Sequence, residues 1–189
     1  MSRSIRKIAT EEAWSIPEVA AELKKVANSP VQSLDKLLVK GIYDAESDSS
    51  GYGKMSFLEG LLDAEGERLR QMDEYGVDMH LLSLTAPGVQ MFDADTACDL
   101  AALANDRLAE LCRKHPSRFA GLASFAPHAP KRAAKEIERA MGELKLNGLI
   151  LNSHTHGEYL DDPKYWPALE AAEALGACIY IHPRAASDT

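Results

Sequence analysis

The alternation of short apolar runs with amphipathic segments is the feature that most constrains the fold of this sequence. Five apolar runs, each bounded by polar or turn residues, are separated by longer segments with helical periodicity. The runs are at residues 8–9, 79–84, 119–126, 149–151 and 177–181, and the main helical segments are at 61–75, 95–115, 130–144 and 163–175. This order predicts parallel strands joined by right-handed crossovers.

Parallel strands of this kind form either an open doubly wound sheet or a closed barrel, and periodicity alone does not distinguish the two. No GxGxxG sequence or P-loop follows any predicted strand, which removes the commonest nucleotide-binding versions of the open sheet. Gly76 and Gly176 each lie between a helical segment and a strand, where glycine readily forms a left-handed helix cap. The pattern therefore predicts an α/β protein with a parallel sheet.

Composition and net charge limit the kinds of molecule that this protein is expected to bind. The sequence has 189 residues, 46% of them hydrophobic, which is enough for one compact core. A formal net charge of -8 argues against binding to nucleic acid or to an anionic membrane surface. No apolar stretch approaches the roughly 20 residues of a membrane helix, and the N-terminus lacks a secretory signal, so we expect a cytoplasmic protein. Three cysteines without CxxC spacing suggest neither disulfides nor a cysteine zinc site.

Residues 28–54 differ from the rest of the sequence because Ser, Asp and Gly are concentrated there. A connection longer than about 15 residues in a compact domain usually either has a function or is mobile. We predict that residues 1–189 form a single domain in which 28–54 is a lid or insertion, with a solvated loop as the alternative.

Polar side chains follow the predicted strands at the edge where parallel α/β proteins bind ligands. Glu11 follows the first strand and His182 follows the fifth. A carboxylate oxygen and an imidazole nitrogen can share a divalent cation such as Zn or Mn, although two ligands do not complete a site. In the alternative interpretation Glu11 caps a loop and His182 hydrogen-bonds a neighbouring carbonyl group.

Other catalytic patterns are weaker. His154 and His156 follow the fourth strand. Residues two apart on an extended segment point the same way, but both histidines are expected to lie beyond the strand in a loop. We expect one of them to line the pocket rather than to bind metal. No GxSxG elbow is present and no cysteine stands beside a histidine in a recognisable pattern, which argues against a serine or cysteine hydrolase.

Long stretches of the sequence resemble one known family. They are KIATEEAW, RLRQMDEYGVDMHLLSLTAPGVQ, AALANDRLAELCRKHPSRFAGLASFAP and LNGLILNSHTHGEYLDDPKYWPALEAAEALGACIYIHP. They resemble the amidohydrolase superfamily, and within it the decarboxylases of gamma-resorcylate, 2,3-dihydroxybenzoate and 5-carboxyvanillate. The resemblance implies a parallel (β/α)8 barrel of the TIM type, of which this sequence would supply the first five β/α units.

The resemblance also implies one divalent metal ion, Zn or Mn. Glu11 would be the ligand from the first strand and His182 the ligand from the fifth. Ala13 stands where many relatives carry a further histidine, which matches the subset that binds metal through glutamate, one histidine and a distal aspartate. That aspartate and the catalytic acid are expected beyond residue 189, so no catalytic residue is assigned.

The function implied is that of a carboxy-lyase of aromatic compound degradation. It would remove carbon dioxide, without an oxidant, from a small hydroxylated aromatic carboxylic acid related to carboxyvanillate or resorcylate. Tyr43 matches a lid tyrosine, Asn152 or His154 would hydrogen-bond ring substituents, and Ala86 and Pro87 would form an apolar wall. Residues 44–53 contain no arginine to bind the substrate carboxylate, which leaves the substrate open. A homo-oligomer, dimer or tetramer, is usual in this family.

Two alternatives remain at this stage. A metal-assisted hydrolase such as a lactonase uses the same barrel and ligands but activates water. A catalytically inert fragment is the other, since five strands cannot close a barrel and would leave unpaired sheet edges.

Overall fold

The computed structural model describes residues 5–30, 33–43 and 56–185. Seven strands, seven α-helices and one short 3-10 helix (Pro163–Tyr165) are found in these ranges. The strands are β1 (Ile8–Trp14), β2 (Met79–Leu84), β3 (Phe119–Ala123), β4 (Gly148–Asn152), β5 (His154–Thr155), β6 (Glu158–Tyr159) and β7 (Ile179–His182). The helices are α1 (Pro17–Ala27), α2 (Leu34–Tyr43), α3 (Phe57–Leu62), α4 (Glu67–Tyr75), α5 (Ala94–Lys114), α6 (Pro130–Gly142) and α7 (Trp166–Ala174).

The main sheet has five strands in the order β1-β2-β3-β4-β7, and every neighbouring pair is parallel. Strand order follows chain order and never reverses, whereas a doubly wound sheet reverses at its switch point. The sheet is also curled, because its two edge strands approach each other through the side chains described below. The predicted barrel architecture is thus confirmed as a curled half-barrel of five strands with helices between them.

The first crossover differs most from the prediction. The predicted helix at 61–75 is wrong as a single element, since α3 ends at Leu62 and α4 begins at Glu67. The Asp63 carboxylate accepts hydrogen bonds from the backbone N–H groups of Gly66 and Arg68, at 2.8 and 3.1 Å. These bonds close a turn between the two helices that the hydrophobic pattern does not reveal.

Helix α1 was not predicted, and it begins with Pro17, a residue that suits the first turn of a helix. Within the predicted lid, residues 34–43 form helix α2. Residues 44–54 of the predicted lid lie outside the described residues. The hairpin of β5 and β6 occupies a segment that was expected to be a loop.

The core lies among buried strand and helix residues, including Leu82, Leu108, Ile137 and Leu149. Strand β3 approaches α5 at Gly121, where an added Cβ atom would lie 2.7 Å from Leu108 Cγ. The same atom would lie 3.0 Å from Leu146 Cδ2. Gly121 is therefore required by close packing. In the part of the chain that is described, no helix is long and apolar enough to cross a membrane.

We expect Gly121→Ala to lower the free energy of unfolding by about 1–3 kcal/mol, because the new methyl group overpacks the contact with Leu108. Urea denaturation followed by circular dichroism measures this change. Gly142→Ala is the matched control, since Gly142 ends α6 and nothing lies within 4 Å of its added Cβ. Equal midpoints for the two variants would contradict the packing argument.

Candidate metal centre

Glu11 and His182 come together across the half-barrel. Glu11 was predicted to follow the first strand but lies in the middle of β1, whereas His182 is the last residue of β7. The Nε2 atom of His182 lies 3.4 Å from Oε1 of Glu11. These residues belong to β1 and β7, the two edge strands of the sheet, so their contact depends on the curl of the intervening strands. Their side chains are 30% and 58% exposed, which leaves the pair accessible from the open interior.

The hydrogen bonding of His182 determines which ring nitrogen can act as a ligand. Its Nδ1 atom lies 2.8 Å from the backbone oxygen of Pro183. A carbonyl oxygen only accepts hydrogen bonds, so Nδ1 carries a proton. When the ring is neutral, Nε2 therefore presents its lone pair to Glu11. Two acceptors at this distance repel each other unless a cation or a proton lies between them. The arrangement therefore suits a shared cation.

Strand β1 contains an irregularity beside Glu11. Its register against β2 shifts between Ala9 and Glu12, as at a β-bulge. A bulge re-aims the side chains around it. Glu11 contacts His182, whereas its neighbour Glu12 contacts His80 of β2 and Arg68 of α4. Consecutive side chains of a strand point to opposite faces, so the two carboxylates have different partners, and the register shift lies directly beside them.

Tyr180 is a site residue that the sequence reasoning missed. A hydrogen bond to the Glu11 carboxylate is the main reason why the pKa of the Tyr180 hydroxyl is raised, and burial adds to the effect. Its ring lies 6.5 Å from that of His182, centroid to centroid. Tyr180 precedes His182 by two positions on one strand, so the period of two places both side chains on one face. That spacing was the signal that could have identified it.

The donor set is chemically suitable but incomplete. Glutamate oxygen and histidine nitrogen are ordinary ligands for Zn and for Mn. Among residues 5–30, 33–43 and 56–185, no group of three or more His, Cys, Asp or Glu side chains is close enough to hold a metal ion. Glu11 and His182 thus form part of a ligand set.

Asn152, predicted to contact substrate, lies in a hydrogen-bonded clamp between two loops. Its Nδ2 atom donates to the backbone oxygen of Pro87 at 3.1 Å and to Oε1 of Gln90 at 3.0 Å. Gln90 in turn donates to Thr155 Oγ1 at 2.6 Å. The clamp joins the loop after β2 to the segment after β4. Asn152 Oδ1 is buried and has no hydrogen-bond partner within the described ranges, so contact with substrate stays a prediction.

The two histidines after β4 do not point the same way. His154 is buried, and its Nε2 atom lies 2.7 Å from the backbone oxygen of Ala185. His156 adopts a turn conformation with φ of 51° and contacts the Phe92 backbone oxygen and the His128 ring. The two residues do not share one extended segment, because β5 ends at Thr155.

The remaining predicted substrate residues are largely buried. Ala86 and Pro87 are joined by a cis peptide bond and lie in the loop that the Asn152 clamp holds. Tyr43 ends α2 with 2% of its surface exposed. Burial raises the pKa of Tyr43 to about 12, and the neighbouring Ser15 hydroxyl opposes part of that shift. Contact of these residues with a substrate stays a prediction.

A cluster of charged and titratable side chains lies beside β1. Arg68 donates to the backbone oxygens of Ala13 and Gly60, at 2.8 and 3.1 Å. Oε2 of Glu12 lies 3.4 Å from Nδ1 of His80 and 3.7 Å from Nη1 of Arg68. Burial raises the pKa of Glu12, whereas burial and the positive charge of Arg68 lower the pKa of His80 to about 4. The cluster ties β1 to the first crossover.

Comparisons with known proteins agree with this geometry. Residues 61–188 match the amidohydrolase family model. The chain therefore belongs to the amidohydrolase family. A gamma-resorcylate decarboxylase from Polaromonas is 40% identical over 131 residues, which cover 66% of this chain and 40% of that protein.

Two solved structures share the fold closely. The 5-carboxyvanillate decarboxylase of Sphingomonas paucimobilis is 50% identical with a TM-score of 0.90, covering 98% of this chain and 54% of that one. The enzyme of the same name from Novosphingobium aromaticivorans, solved with manganese and 4-hydroxy-3-methoxy-5-nitrobenzoic acid, is 36% identical with a TM-score of 0.89. The match covers 98% of this chain and 52% of that structure. This chain thus spans about half the length of these relatives.

The low pKa of His80 predicts a specific dependence of stability on pH. Between about pH 6.5 and pH 4 the unfolded chain binds a proton at this residue and the folded chain does not, so stability falls as pH falls. We expect His80→Gln to reduce the loss of unfolding free energy between pH 7 and pH 5 by about 1–2 kcal/mol. Urea denaturation at both pH values measures the difference. Identical losses in the two proteins would show that His80 titrates normally in the folded state.

Proposed function

We propose that this chain is the N-terminal part of a metal-dependent decarboxylase of hydroxylated aromatic carboxylic acids. The observation that carries the proposal is the 3.4 Å contact between Oε1 of Glu11 and Nε2 of His182, with Nδ1 of the same ring bonded to the Pro183 carbonyl oxygen. The similarity to named decarboxylases supports it, and one relative's structure contains manganese and a nitrobenzoic acid analogue. Activity on 5-carboxyvanillate or a close analogue is favoured because that enzyme is 50% identical.

In this proposal Glu11 and His182 hold one divalent ion, Mn or Zn. When bound, the ion supplies positive charge that stabilises the substrate carboxylate and an adjacent phenolate oxygen. The Nδ1–H bond to Pro183 fixes the imidazole ring, so that Nε2 remains available as a ligand. A hydrogen bond to Glu11 is the main cause of the raised pKa of the Tyr180 hydroxyl group, and in this proposal the same bond would hold the carboxylate toward β7.

In the overall reaction, a carbon–hydrogen bond on the aromatic ring replaces the carbon–carbon bond to the carboxylate. The ring carbon that bears the carboxylate gains a proton, its bond to the carboxylate carbon breaks, and that electron pair returns to the ring as carbon dioxide leaves. The proton donor is expected beyond residue 189. From this chain, Ala86 and Pro87 would supply apolar contacts, and the unpartnered Oδ1 of Asn152 or Nδ1 of His154 would accept hydrogen bonds from ring substituents. Tyr43 would line the pocket from α2.

We further infer that the protein is a cytoplasmic homo-oligomer, a dimer or tetramer. The inference is supported by the resemblance to this family. Light scattering coupled to size-exclusion chromatography measures the oligomeric state, and a monomer at micromolar concentration would contradict it.

An assay of the full-length gene product tests the proposed function. With added MnCl2 or ZnCl2 we expect release of carbon dioxide from 5-carboxyvanillate or 2,6-dihydroxybenzoate, and no hydrolysis of aryl lactones. Glu11→Gln and His182→Ala should each lower kcat/KM at least about 100-fold, since even the loss of groups outside the coordination sphere costs 10–100-fold.

Glu65→Gln and His115→Gln are matched controls. They break another Glu–His contact, at 2.6 Å between Glu65, two residues before α4, and His115, the residue after α5, and should leave kcat/KM unchanged. Lactone hydrolysis without release of carbon dioxide would replace the proposed decarboxylase by a hydrolase.

A further inference from the structure

A buried ion pair joins α2 to the segment that follows His182. Nη2 of Arg184 lies 2.6 Å from Oδ2 of Asp35, and the two side chains are only 4% and 11% exposed. Asp35 lies in the first turn of α2, 149 residues before Arg184. Burial of two charges costs desolvation free energy that their attraction often fails to exceed. Such a pair is therefore better explained by the arrangement that it specifies than by stability.

Arg184 holds a third segment as well. Its Nη1 atom donates to the backbone oxygen of His154 at 2.8 Å, and its backbone N–H donates to Ser153 Oγ at 3.1 Å. The backbone N–H of Ser153 donates in turn to the backbone oxygen of His182 at 2.9 Å. The segments after β4 and β7 are thus linked through Arg184, next to the candidate metal ligand.

Asp35 also determines how α2 is oriented. The buried residues of this helix are Asp35, Val39 and Tyr43, spaced four apart and hence on one face. A contact that fixes Asp35 restricts rotation of the helix about its axis. It therefore helps to set the position of Tyr43 at the other end.

We propose that the Asp35–Arg184 ion pair is a positioning element that couples the orientation of α2 to the strand end bearing His182. This proposal rests on the proposed function, in which His182 holds a metal ion and Tyr43 lines the pocket. Neither Asp35 nor Arg184 touches the metal or the reacting atoms. Both act through the residues that do.

The geometry of the contact requires arginine. The planar guanidinium reaches Asp35 through Nη2 and the His154 carbonyl through Nη1, whereas a lysine ammonium has one nitrogen for both. Arg184→Lys thus keeps the charge and loses one of the two connections. Asp35→Asn removes the charge with little change of shape, and Asp35→Glu retains it as a conservative rescue.

The coupling is tested without an activity assay by measuring Mn2+ binding to the full-length protein. Electron paramagnetic resonance monitors this binding while the protein is titrated with MnCl2. Asp35→Asn and Arg184→Lys should each raise the Kd for Mn2+ about 10-fold, as do losses of groups that orient metal ligands. Asp35→Glu should restore most of the affinity. In the double variant the two effects should not add, because both substitutions disturb the same link between α2 and the strand end that bears His182.

Asp106→Asn is the matched control, because it breaks the Arg139–Asp106 ion pair between α5 and α6, at 2.5 Å. It should change the midpoint of unfolding and leave the Kd for Mn2+ unchanged. If Asp35→Asn changes the Kd no more than Asp106→Asn does, or if the two single effects add, the coupling is overturned.

The same preparations separate this proposal from the proposed function. Wild-type protein that binds Mn2+ but releases no carbon dioxide would refute the decarboxylase, and the variants would still be judged by their Kd values. Active wild-type protein with unchanged Kd values in the variants would refute the coupling alone. Where activity is present, Asp35→Asn should raise KM for 5-carboxyvanillate more than it lowers kcat, because Tyr43 would be displaced.

Discussion

The rest of the site depends on the close contact between the Glu11 carboxylate and Nε2 of His182. Two hydrogen-bond acceptors at 3.4 Å repel each other in the absence of a positive charge. The bond from Nδ1 to Pro183 prevents the neutral ring from relieving that repulsion by moving its proton to Nε2. A cation shared by the two groups converts the repulsion into attraction, and the protonated ring is the competing solution. The positions of these two groups therefore favour a positive charge between them.

The rest of the structure serves to bring these two atoms together. Gly121 allows β3 to pack closely on α5, and the five parallel strands curl until the two edge strands face each other. On β1, strand alternation directs Glu11 and Glu12 to different partners, and Arg68 ties that strand to the first crossover. At the carboxyl-terminal rim of the half-barrel, Gln90 and Arg184 connect loops that are distant in sequence. Packing sets the overall curvature, and a few buried polar contacts set the fine position of the rim.

The sequence predicted the features that follow from local pattern. Strand and helix alternation gave the parallel sheet, and the rule that parallel strands end at a common edge brought Glu11 and His182 together. Contacts between distant segments were not predictable. Asn152 follows a strand as a ligand-binding residue would, but Pro87 and Gln90 use both of its amide hydrogens. The pairing of Asp35 with Arg184 likewise produces no periodic pattern in the sequence, because it depends on where α2 packs against the segment after β7.

Anomalous X-ray diffraction from crystals of the full-length protein grown with MnCl2 would locate a metal ion bound by Glu11 and His182. We expect a manganese peak within about 2.0–2.3 Å of both a Glu11 carboxylate oxygen and His182 Nε2, with Nδ1 still bonded to Pro183. A peak bound by other residues, or a His182 ring whose Nε2 donates a hydrogen bond to Glu11 with no metal between them, would contradict it.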